Sequence, residues 1–180
     1  MPPGDDAKNE RGGTLVEFAL AITILLTLIF GIMDFSQAMY AYHFVSNAAR
    51  EASRYASLRG STFTTACASP PPLAYACEAA PADITAYVQS IVAPGMYESG
   101  GTANTSCATP SVGQLNVCVT WPGTAPSGAT GGCDTSNGNN SPGCLVQVKA
   151  LYTYGFTLPF VSKNVSSITM TSTSATVIQQ

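Results

Sequence analysis

Residues 15–33 read LVEFALAITILLTLIFGIM, nineteen positions in which Glu17 is the single charged side chain. At 1.5 Å rise per residue a helix over this stretch spans about 28 Å, close to the hydrocarbon thickness of a bilayer. Core helices of soluble proteins are seldom apolar on every face for so long, so the stretch reads as a transmembrane helix. Lys8 and Arg11 precede it, whereas Asp34 and no cation within 15 residues follows it. That asymmetry predicts a cytoplasmic N-terminus and export of the bulk of the chain. Ser36-Gln37-Ala38 has the small-x-small spacing of a signal-peptide cleavage site. The apolar run, however, exceeds the usual 7–15 residues, roughly, of a signal-peptide core, and an acid near its start only burdens insertion.

The rest of the composition narrows the chemistry. The 180 residues are 46% hydrophobic and 9% charged, with 7 Lys plus Arg, one His and a formal net charge of -3. So few cations leave no basic surface to displace counterions from a phosphate backbone, which argues against a nucleic-acid partner. A single His, His43, without clustered acids lacks the parts of a hydrolytic triad or a His-rich metal centre. No catalytic residue, metal or cofactor is expected. Charges gather at the front, where residues 1–12 hold Asp5, Asp6, Lys8, Glu10 and Arg11. From residue 60 onward Ser, Thr, Asn and Gly carry the polarity.

Glu17 is the residue that asks for a function. A carboxylate at the bilayer centre costs roughly 2.5–3.5 kcal/mol on insertion scales, less near an end, and needs a cationic partner. Without one it would snorkel to the headgroups. Around it the sequence runs Gly12-Gly13-Thr14-Leu15-Val16-Glu17-Phe18, then Phe30-Gly31-Ile32-Met33-Asp34-Phe35, then Asn47-Ala48-Ala49-Arg50-Glu51-Ala52-Ser53-Arg54-Tyr55-Ala56. This combination resembles the TadE-like minor pilins of Tad (tight adherence) pili, over about residues 11–56. Ser53 stands where that family often has Gly.

The resemblance implies a processing site at Gly12, Gly13, Glu17 and Phe18. A prepilin peptidase would cut after Gly12, and Glu17 would become the fifth residue of the mature chain. Cleavage frees an ammonium at Gly13, and a carboxylate on a neighbouring helix is the charge that can neutralise it. An unpaired Glu17 is penalised in low dielectric and a paired one is not, so docking into a filament is favoured. The resemblance also makes Glu17, Asp34 and Phe35 assembly residues. It implies as partners the peptidase, other minor pilins, the major pilin, the inner-membrane assembly platform and membrane lipid. The location it implies is the bacterial cytoplasmic membrane, with the C-terminal part exported and possible display on the pilus. Relatives with a von Willebrand-type domain carry a D-x-S-x-S metal site, which Asp134-Thr135-Ser136-Asn137 does not supply.

No Pro or Gly occurs between Asp34 and Leu58, so the helix is expected to run from about Thr14 to Arg59, with Gly60 as its C-terminal cap. Phe35, Ala38, Tyr42, Val45, Ala49, Ala52 and Ala56 recur at steps of 4 and 3 and predict one buried stripe. Asn47, Arg50, Glu51 and Arg54 form the solvated opposite side. His43 is expected to be exposed or interfacial. A domain plan follows: a cytoplasmic leader 1–12, a transmembrane helix 13–34, its exported continuation 35–59, and an exported head 60–180.

In the head, residues 61–81 read as a surface connection around Pro70-Pro71-Pro72. Ile84, Tyr87, Val88, Ile91 and Val92 predict a second helix over Ala82–Ala93, with Asp83 as a cap and Pro94-Gly95 as its stop. Alternation at Leu115, Val117, Val119 and Trp121, and at Val146, Val148, Ala150, Tyr152 and Tyr154, predicts two strands; Ser166–Ile178 is a third β-prone run. The fold class expected is α+β, a long helix packed on a small antiparallel sheet, pilin-like, with the second helix beside it. Residues 122–143 form a Gly, Ser, Thr and Asn loop, read either as a subunit-contact segment or as a tolerated insertion.

Cys67, Cys77, Cys107, Cys118, Cys133 and Cys144 all lie on the exported side, and none forms a C-x-x-C pair. Disulfides are expected. Neighbour pairing, Cys67 with Cys77, Cys107 with Cys118 and Cys133 with Cys144, is the simplest of the 15 possible arrangements. Two functional classes remain from the sequence: a TadE-like minor pilin or pseudopilin serving adherence or secretion, and an anchored binding module that does not polymerise. An exported hydrolase would have to recruit His43 from the proximal helix.

Overall fold

Alanine, serine and valine occupy one side of the chain just past the apolar span, and that side is what the rest of the molecule packs on. The computed structural model describes residues 6–63, 79–92, 96–98, 107–123, 133, 140–156 and 167–179. Helix α1 (Asp6–Ser57) is 52 residues long, about 78 Å at the usual rise. It starts earlier than Thr14, passing through Gly12 and Gly13, and stops two residues before Arg59. Helix α2 (Pro81–Ile91) follows, then strands β1 (Tyr97–Glu98), β2 (Gln114–Thr120), β3 (Leu145–Gly155) and β4 (Ser167–Val177). The fold is α+β.

The strands form one sheet in the order β1-β2-β3-β4. β2, β3 and β4 make an antiparallel meander in which Val117 faces Ala150 and Tyr154 faces Ile168. β1 pairs in parallel with β2 through only two residues, an element too short to leave a periodic signature. Helix α1 lies across one face of β3 and β4. Its buried residues are Ala41, Val45, Ala48, Ala49, Ala52, Ser53, Tyr55 and Ala56, together with Asp34. The stripe expected from the sequence holds at Val45, Ala49, Ala52 and Ala56, but its largest members lie outside it: Phe35 is 67% and Tyr42 55% exposed, while Ala41 and Ala48 take inner positions. Small side chains on α1 meet small side chains on β4, and the seam is closed by hydroxyls. Ser53 Oγ bonds to Ser174 Oγ at 2.8 Å, and Thr176 Oγ1 donates to Ser53 Oγ at 3.2 Å. A β-branched or longer residue in this seam would push helix and sheet apart.

The other sheet face is covered at β2, whereas Thr169, Thr171, Thr173 and Ala175 of β4 leave it open. Asn116 and Cys118 on β2 are buried, because Cys118 is bonded to Cys107 and Asn116 Nδ2 donates to the carbonyl of Ala108 at 2.8 Å. A second disulfide joins Cys133 to Cys144. Cys67 and Cys77 lie outside the described residues, as do most of residues 61–81 and 122–143. In α2, Asp83 sits at the third helical position and its Oδ2 accepts from the Ala80 amide at 3.1 Å, so it caps from inside the helix. Ile84 and Val88 fill the core beneath it. Residues 94 and 95, expected as its stop, are outside the described residues.

Gly60 does not act as a left-handed cap, since the described positive-φ glycines are Gly113, Gly123 and Gly143. The exit of α1 is instead closed by distant segments. The Gln179 amide donates to the Ser57 carbonyl at 2.8 Å, and the Ala79 amide and Asn140 Nδ2 both reach the Arg59 carbonyl. Asn140 Nδ2 also donates to the Ala79 carbonyl, while its backbone carbonyl accepts from Ser61. One buried amide thus ties helix exit, α2 entrance and β3 entrance together.

Candidate functional site on the first helix

Helix α1 divides into two halves of opposite character. From residue 13 to residue 33 every described side chain is exposed apart from the half-covered Gly31. This half is long and apolar enough to cross a membrane, with a mean hydropathy of 2.5 in its most apolar window. Its hydroxyls are satisfied within the helix: Thr23 Oγ1 donates to the Ala19 carbonyl at 2.7 Å and Thr27 Oγ1 to that of Thr23 at 2.8 Å. A helix that satisfies its polar atoms internally is what a hydrocarbon environment requires. Such an element fits a single-pass membrane anchor.

Glu17 and Phe18 are both exposed on this bare half, and among the described residues nothing pairs with Glu17. Gly13 lies one helical turn before Glu17, about 6 Å along the axis and on the same face. A Cβ built on Gly13 meets nothing within 4 Å, and the same holds for Gly31. Folding of the chain by itself thus gives no steric reason for glycine at either place.

Asp34 marks the change of character. It is 3% exposed, and the Tyr154 hydroxyl lies 2.5 Å from its Oδ1 and 3.1 Å from its backbone carbonyl. Burial, the hydrogen bond to Asp34 and the Asp34 charge together hold the Tyr154 phenol far above its usual range; burial alone raises Tyr152. Phe35, the next residue, points away from the head. The structure therefore separates the acids grouped by the sequence: Glu17 is bare, and Asp34 is held by the chain's own sheet. Tyr154 was the residue that sequence reasoning did not single out. It appeared only as one of five alternating core positions, and nothing local links it to an acid 120 residues away.

At the far end of α1 the Arg59 guanidinium lies 4.2 Å from the centre of the Tyr55 ring, which stacks on Tyr87 of α2 at 4.4 Å. A cleft of about 350 Å³ opens beside this stack. His43 is exposed and touches the edge of Tyr42. Among the described residues no group of three potential ligands could hold a metal ion.

A helix bare in its first half and sheathed by a sheet in its second defines an α+β head carried on a membrane-length helix. Residues 12–54, which include Glu17, Asp34 and the alanine-rich face, match the family described as TadE-like protein. No curated protein and no solved structure matches the chain.

Proposed function

We propose that this chain is a TadE-like minor pilin or pseudopilin, cut after Gly12 by a prepilin peptidase and assembled through α1 into a Tad-type pilus or its base. The observation that carries the reading is Glu17, an acid exposed on an otherwise apolar membrane-length helix, one turn beyond the Gly12-Gly13 pair and inside the TadE-like segment. Gly13 has open space around it, so the folded chain leaves an enzyme free to reach the backbone there. After cleavage the Gly13 ammonium and Glu17 carry opposite charges at the same membrane face. Subunits staggered along their helices exchange these charges, and lone subunits in lipid do not. The leader 1–12 would remain cytoplasmic and the head would be exported, with the peptidase, other minor pilins, the major pilin and the assembly platform as partners. The role is structural, not catalytic.

Intact mass of the membrane-extracted protein tests the reading. Residues 1–12 should be missing in cells with the peptidase and present in cells without it. A chain that keeps its initiator Met in both would overturn processing and leave an anchored binding module. Glu17→Ala should insert as well as the parent while its incorporation into pili falls; unchanged incorporation would show that the carboxylate is incidental.

A further inference from the structure

We infer that the membrane-proximal pole of the head is a lipid-docking surface, built by Val112 and Ile168 at the level of the exposed Phe35 and Met39 of α1. This rests on the anchoring of α1 in the bilayer but not on processing or pilus assembly. The direction of the head along α1 follows from three contacts: Asp34 with Tyr154, Ser53 with Ser174, and Ser57 with Gln179. Tyr154 faces Ile168 across the sheet, so β4 runs alongside α1 in the same sense, from Ile168 near Asp34 to Val177 near Ser57. The head consequently begins where the apolar span ends.

Exposed large hydrophobic residues are scarce in the described part of the head. Beyond α1 they are Leu58, Val112 at 60% and Ile168 at 48% exposed. Leu58 belongs to the distal end. Val112 bridges to Thr153, and Ile168 stands opposite Tyr154, so the other two share the level of Asp34. On β4 the residues that follow Ile168 on the helix-facing side are Met170, Ser172, Ser174 and Thr176, so the strand loses its bulky apolar character with distance from the span. On α1, Phe35 and Met39 are exposed within about 8 Å of Asp34 along the axis, inside the depth of the headgroup layer. Exposed apolar groups continuous with a membrane span and, Leu58 apart, gathered among the described residues at the pole it enters fit the boundary between headgroups and acyl chains. Lipid is the occupant the position selects, because the bilayer surface is already held against this pole by the anchor.

The full chain in bilayer discs of phosphatidylethanolamine and phosphatidylglycerol tests this, with benzoylphenylalanine replacing Val112, Ile168 or, as a distal control, Ala175. Irradiation should give lipid adducts at 112 and 168 and none at 175. The unmodified chain supplies a second reading, in which headgroup-nitroxide lipids should broaden the amide signals of residues 112–113 and 168–169 and spare those of 175–177. Absence of both effects in chains that stay in the disc overturns the docking surface and leaves the anchor standing. Crosslinks between copies in place of lipid adducts also overturn it. Release of the chain from the bilayer by alkaline carbonate would overturn the anchor itself, and the docking surface with it.

Discussion

Asp34 and Tyr154 form the contact on which the seating of the head depends. The Tyr154 hydroxyl donates to a buried carboxylate, a bond worth roughly 1.5–3 kcal/mol when the acceptor is charged. Tyr154→Phe should lower the stability of the head by about that amount, read as a shift in the urea midpoint of Trp121 fluorescence in detergent micelles. An unchanged midpoint would reduce the contact to incidental packing. The same phenol sets an alkaline limit. Its folded-state pKa is raised above the ordinary value of about 10, so the folded chain holds the proton more tightly than the unfolded one. The associated stability is complete below about pH 10 and declines as pH rises above it. Absorbance at 295 nm should show Tyr154, with Tyr152, titrating last and together with unfolding. In Tyr154→Phe the alkaline decline should be shallower.

What the sequence makes legible at this scale is half of each pair. An acid immediately after an apolar span is conspicuous, whereas its tyrosine lies among ordinary alternating strand residues. Glu17 also stands out in local sequence, while its proposed partner, the Gly13 ammonium of a neighbouring copy, leaves no trace in the contacts of a single chain.

Among the elements, α1 and β4 teach the same point about small residues. Ala52 and Ala56 are wholly buried against the sheet, while Phe35 and Tyr42 face outward. Ala52→Leu should destabilise the head by about 1–3 kcal/mol through overpacking, whereas Tyr42→Ala should leave the urea midpoint in place. Equal effects of the two would mean that α1 meets the sheet through a different face. The stripe on α1 is legible from sequence at Val45, Ala49, Ala52 and Ala56, but its width is not, because alanine occurs on both sides of the helix and the larger residues Phe35 and Tyr42 lie outside the core. β2 and β3 were readable because valines alternate along them. β4 was readable as a strand, but its serines and threonines gave no hint that they line a seam with Ser53.

The disulfide between Cys133 and Cys144 closes an 11-residue separation at the entrance to β3. Replacing both cysteines by serine should cost about 2–4 kcal/mol, detectable as a lower thermal midpoint. Asn140, four residues before Cys144 and engaged in three hydrogen bonds of its own, gives a second probe. Asn140→Ala strips side-chain donors from the Arg59 and Ala79 carbonyls and should cost about 1–3 kcal/mol in the same melt. If neither change moved the midpoint, the distal junction would not be part of the cooperative unit.

For the molecule as a whole, fold class and anchor were recoverable from composition and period, since a span of pure hydrocarbon character and two alternating strands are local signals. The closing of the head was not, because α1 meets β4 through contacts between segments about 120 residues apart. The amide of Gln179 completing the carbonyl end of α1 is another instance. A chain threaded outward helix-first delivers its acceptor long before its donor. On the exported topology proposed above, the alanine face of α1 waits uncovered until β4 has cleared the export channel, and any periplasmic holdase acting on this protein should be needed only in that interval.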